Sequence, residues 1–173
     1  MKKGVLYLTI ISIVFILTNC SSPQEPIVIN NAIDEVSGWV INYNTLSQTK
    51  AHSGVLSSKV DSLNPYSIEF KDNLKNMKSG SISKIRFSAW VLVENVPVNS
   101  VGLIGALGDG VNDPLVWVGI DVKDKIQLPN EWTRIEGEII VPENCAENIK
   151  FNTYLYSSNK EVAYVDDFEI IVE

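Results

Sequence analysis

From Ile27 onward the chain alternates apolar and polar residues in short runs broken by Gly, Asn, Asp and Pro. No apolar run keeps a helical period for three turns. The alternation predicts eight strands: Val55–Val60, Tyr66–Phe70, Ile85–Glu94, Val101–Leu107, Leu115–Val122, Trp132–Val141, Ile149–Tyr156 and Ala163–Val172. Short, evenly spaced strands predict an all-β sandwich or barrel in one domain, with no internal repeat.

Parity sorts the side chains. In "KIRFSAWVLVE", Ile85, Phe87, Ala89, Val91 and Val93 form the apolar face, with Arg86, Ser88, Trp90, Leu92 and Glu94 opposite. In "LVWVGIDV" the core set is Val116, Val118, Ile120 and Val122, and in "IKFNTYLY" it is Ile149, Phe151, Thr153 and Leu155. Trp90, Trp117, Tyr154 and Tyr156 therefore fall on the wet side, among polar residues, as a binding face requires. Trp132, next to its turn, is expected on either side. The closing run "YVDDFEIIVE" breaks the rule: Asp166 shares parity with Tyr164, Phe168, Ile170 and Val172. A carboxylate sent toward a core must be metal-bound, paired with a cation such as Lys59, or held by backbone N–H groups at a β-bulge.

Charge and cysteines narrow the partners. A formal net charge of −7 with no basic patch excludes a nucleic-acid backbone. "MKKGVLYLTIISIVFILTNC" has two lysines, an apolar run from Gly4 to Leu17, then small or polar residues, the layout of a signal peptide over residues 1–19. "LTNC" resembles the bacterial lipoprotein cleavage box, which implies a lipidated Cys20, a tether over residues 20–29, and a domain over 30–173 anchored in the cell envelope at the outer membrane. Asn19 departs from the usual small residue before the cysteine. Cys145 is then left without a partner and reads as an incidental thiol in a polar loop. His52 is read as a turn residue without catalytic companions, and "GDGVND" as a glycine-containing turn.

Four stretches taken together, "NNAIDEVSGW", "AHSGVLSSKVD", "EWTRIEGEIIVP" and "VAYVDDFEI", resemble carbohydrate-binding modules of the cellulase and xylanase type. The resemblance spans about Asn30 to Val172 and implies a jelly-roll β-sandwich, galactose-binding-domain-like, in which Trp39, after Gly38, matches a residue packed in the core. It also implies a structural calcium ion held by Asp34 or Glu35, by Asp166, and by carbonyls near Ser53 and Gly54. Mixed carboxylate and carbonyl oxygens suit calcium. The implied function is non-catalytic capture of a polysaccharide or glycan. Trp90, Trp117 and Tyr154 are the expected stacking platform, and Arg86 and Asn152 the expected hydroxyl partners. The alternative is an interaction module that docks an envelope protein or partner enzyme. The outward acids Asp121, Glu136, Glu138, Asp167 and Glu169 single out no hydrolytic pair.

Overall fold

The computed structural model describes residues 25–34, 39, 42–109, 114–159 and 161–173. The expected signal peptide, Cys20, Glu35, Gly38, Asn112 and Asp113 lie outside the described residues. Among the described residues, ten strands form two antiparallel sheets: β1 Ile27–Asn31, β2 Leu46–Ser47, β3 Ser57–Val60, β4 Tyr66–Asn73, β5 Lys84–Val93, β6 Val101–Gly108, β7 Val116–Asp121, β8 Thr133–Ile140, β9 Lys150–Ser157 and β10 Ala163–Val172. One sheet runs β2-β3-β10-β5-β8, with β1 also paired to β10, and the other runs β4-β9-β6-β7. The fold is a jelly-roll β-sandwich, as expected.

Two strands escape the alternation. β1 pairs with β10 from Ile27↔Val172 to Asn31↔Phe168, so the expected tether to residue 29 gives up its last three residues to the sheet. β2 is two residues long. The stretch after β4 forms the short helix α1, Leu74–Met77. It buries Leu74 and Met77 in the core.

The expected core faces of β5 and β9 are buried as read, and Trp39 packs against Phe70 and Phe168 at centroid distances of 5.2 and 5.1 Å. Phe87 ties the two sheets together. A Cβ on Gly105 of β6 or Gly137 of β8 would come within 2.5 or 2.6 Å of its ring, so only glycine leaves it room. Burying such a ring contributes about 2–3 kcal/mol.

β10 departs from simple parity. Asp166 pairs with Trp90 but Glu169 pairs with Ser88, so Asp167 and Phe168 together stand opposite Ala89 in a β-bulge. Asp167 takes the left-handed conformation the bulge needs, at φ 45°. The extra residue swaps the faces. Ala163 and Val165 enter the core before the bulge, and Phe168, Ile170 and Val172 after it. Asp166 and Tyr164 therefore lie on the outer face, and the parity that aimed them at the core is corrected.

Candidate functional site

The five residues expected to form one platform divide between the two sheets. Trp90 and Arg86 stand on β5 of the six-stranded sheet. Trp117 stands on β7 and Tyr154 and Asn152 on β9 of the four-stranded sheet. The outer faces of a sandwich look in opposite directions, so no single ligand ring system spans all five. Which sheet a strand joins is not a local property, and strand parity could not supply it.

On the four-stranded sheet, cross-strand register builds three rows. Trp117, Ala106, Asn152 and Lys71 form the first, Gly119, Ile104, Tyr154 and Glu69 the second, and Asp121, Gly102, Tyr156 and Tyr66 the third. Outward β6 residues are thus small except Ile104, which lies buried as a floor between the aromatics. Trp117 is 57% exposed, and its ring lies over Gly119, where a Cβ would sit 2.3 Å away. Across β6, about 10 Å from strand β7, Tyr66 stacks on Tyr156 at 4.8 Å and meets Tyr154 edge-on at 5.6 Å. Burial, then the neighbouring Tyr66 and Glu69, raise the Tyr154 hydroxyl above its ordinary value, so it remains a neutral donor. Lys71 and Glu69 pair at 3.7 Å beside Asn152. Aromatic faces flanked by amide, ammonium and carboxylate groups present what stacked, hydroxyl-rich rings need. Tyr66 was missed because it opens its strand beside Pro65, although its phenol is as exposed as a platform residue's.

On the six-stranded sheet the bulge organises a second cluster. Asp166 is 0% exposed and accepts N–H bonds from His52 (2.8 Å), Ser53 (3.2 Å) and Asp167 (2.8 Å). Burial nevertheless pushes its carboxyl up to about 6, with the Asp167 charge adding to the rise. Lys59 pairs with Asp61 at 3.1 Å, not with Asp166. Asp167 receives Ser53 Oγ at 2.7 Å and meets His52 Nδ1 at 2.5 Å. His52 in turn stacks on Trp90 at 4.0 Å with planes 13° apart, and Trp132 packs edge-on to it. His52 is a turn residue, as expected, and it also braces Trp90.

Of the expected calcium ligands, Asp34, Ser53, Gly54 and Asp166 do meet at one turn. Asp34 Oδ1 accepts N–H bonds from Val55 and Leu56, both at 2.9 Å. Gly54 has φ 55°, and a Cβ there would lie 1.5 Å from Asp34 Oδ2. Among the described residues Asp34 Oδ2 accepts no hydrogen bond, and no Lys or Arg pairs with either carboxylate. No three His, Cys, Asp or Glu side chains gather as ligands among the described residues, so a cation here would rest on two carboxylates plus turn carbonyls. The oxygen set fits calcium in kind. The turn's N–H groups meanwhile take much of the carboxylates' accepting capacity.

No protein-family model and no curated protein sequence matches the chain. Solved structures share its fold. The CBM22-1 xylan-binding domain from Paenibacillus barcinonensis Xyn10C matches with a TM-score of 0.55 at 14% identity, over 87% of this chain and 97% of that one. The C-terminal family 22 carbohydrate-binding module of Clostridium thermocellum Xyn10B matches at 0.51 and 16%, over 83% and 92%. A family 16 carbohydrate-binding module-2 matches at 0.50 and 11%, over 80% and 94%. At such identities the likeness is one of fold: this chain has the β-sandwich of carbohydrate-binding modules.

Proposed function

We propose that this protein is a non-catalytic glycan-binding lipoprotein, held in the outer membrane through acylated Cys20, that captures a polysaccharide on the outer face of its four-stranded sheet. The observation that carries the reading is the row geometry: Trp117 and the Tyr66–Tyr154–Tyr156 group flank a low floor, with Asn152, Lys71 and Glu69 alongside. The chain's structural neighbours, a xylan-binding domain and other carbohydrate-binding modules, support it. Stacked rings contribute on the order of 1 kcal/mol each beyond area burial, so binding is weak per module and suited to retention on a long polymer. On the opposite face, Glu169 pairs with Arg134, and Asp167 with His52 and Ser53. A calcium ion at the Asp34–Asp166 turn, when bound, supplies positive charge to two carboxylates and ties the last strand to the start of the domain.

Affinity electrophoresis and calorimetry against xylan, β-glucans and mannans test the site. Trp117→Ala and Tyr154→Ala are each expected to weaken binding roughly five- to tenfold, and together to abolish it. Unchanged binding by the double variant removes the platform. An empty panel together with co-purification of one envelope protein replaces this reading with the docking one. Detergent-phase partitioning of wild type, lost in Cys20→Ser, tests the anchor.

A further inference from the structure

A groove crosses the outer face of the six-stranded sheet, on the side of the sandwich opposite the proposed platform. It consists of two basins of about 310 and 320 Å³ that share Ser88, Arg134 and Glu169. Its origin is local: Ser88 stands between Arg86 and Trp90 on β5, opposite Glu169 and Glu136, and its small side chain leaves a pit among long ones. We propose that the basin beside Trp90 is a second binding site, which takes one or two rings of a neutral saccharide.

Three observations define the ligand. The wall is aromatic and fixed. Trp90 lines the basin, while its ring is stacked on His52, itself held by Asp167 and by its own N–H on Asp166. A wall already immobilised loses little freedom when a sugar face lies against it. The floor is polar and partly unsatisfied. Ser88 is 5% exposed, and its Oγ accepts from Arg134 Nε (3.3 Å) and Nη2 (3.0 Å). Arg134 Nη2 also reaches Glu169 Oε1 at 2.5 Å. The pair is thereby fixed, with Arg134 Nη1 left to donate and Glu169 Oε2 left to accept. Asn30 at the rim has no side-chain partner among the described residues, and Asn31 uses only its Oδ1, on the Ile33 N–H at 2.6 Å. Donors and acceptors in alternation are what sugar hydroxyls satisfy, since each hydroxyl does both.

Charge and size exclude the alternatives. An anionic sugar would meet the carboxylates of Glu169 and Asp167, and Arg134 is already paired with Glu169. An apolar ligand would strip water from Ser88, Asn31 and Glu169 without replacing its hydrogen bonds. A basin of about 320 Å³ is at the small end of ligand pockets, which suits a short stretch of saccharide and not a long chain.

The test is a titration of ¹⁵N-labelled protein, following the indole N–H resonances of Trp90 and Trp117. The probes are methyl glycosides of glucose, galactose, mannose and xylose, together with xylohexaose, cellohexaose and laminarihexaose. The Trp90 resonance is expected to move with at least one neutral probe, and to move equally in Trp117→Ala. Asn30→Ala, at an exposed position with no internal partner, is expected to weaken that response roughly tenfold, as the loss of one or two hydrogen bonds does. Arg134→Ala should abolish it in a protein whose remaining spectrum is unchanged. If only Trp117 moves, the second site is overturned and the four-stranded platform stands. If only Trp90 moves, the reverse holds. If neither moves with any probe, both fall.

Discussion

Replacing Asp166 with Asn keeps the shape of the side chain and removes its charge. In chelated protein two effects then oppose each other. A pKa of about 6, against an ordinary 3.8, means that the ionised carboxylate costs the native state about 3 kcal/mol at neutral pH. That cost is already net of the three N–H bonds to the carboxylate; in Asn the oxygen can keep the two made to Oδ2, while the Asp167 N–H then faces an amide –NH2 that cannot accept, a loss of about 1–3 kcal/mol. D166N is therefore expected to match wild type or to exceed it by up to about 2 kcal/mol in EDTA at pH 7. The sign of the pH effect follows from the raised pKa. Between 3.8 and about 6 the native state binds the proton and the unfolded state does not, so wild type gains stability as pH falls from 7 to 5. That gain is lost as pH rises through 6, and D166N lacks it. The difference between the two proteins isolates this one group. Calcium reverses the ranking: an ion held by Asp166 at a hundredfold excess over its Kd stabilises wild type by about 2.7 kcal/mol, and D166N forfeits most of this. Urea unfolding at pH 7 and pH 5, in EDTA and in calcium, reads all four quantities. The reasoning is refuted if chelated D166N is less stable than wild type by about 3 kcal/mol or more at pH 7, which would mean that burial does not burden the carboxylate. The proposed ion site is refuted if calcium stabilises both proteins equally.

Two further outcomes concern turns held by carboxylates. Gly54→Ala places a side chain at φ 55° and against Asp34 Oδ2, and is expected to cost about 2 kcal/mol or more, seen as a fall in Tm of several degrees. Burial raises the Glu161 carboxyl, but hydrogen bonds from Ser100 Oγ (2.6 Å) and the Asn99 and Ser100 N–H groups (3.0 and 2.9 Å) outweigh it and hold its pKa below the ordinary 4.5. Its stabilisation is thus present above that value and lost as pH falls through the lowered pKa. Glu161→Gln should flatten that part of the acid-unfolding curve relative to wild type.

Side-chain alternation has a period of two along each strand, and the chain itself carries that information. The core faces of β5 and β9 and the outward position of Trp117 were legible for this reason. The pairing of strands is different, because it depends on residues far apart in sequence. Ile27–Ile29 falls within the expected tether until β10, some 140 residues later, supplies its partner. The bulge at Asp167 moves every later side chain of β10 to the other face, and only the register against β5 reveals it. Trp90 and Trp117 look equivalent in sequence, yet packing two sheets face to face turned them to opposite sides of the molecule. Along strands without a bulge, local chemistry therefore determined which side chains leave the core. Tertiary structure decided which of them meet, because long-range strand order sets the neighbours of each outward residue.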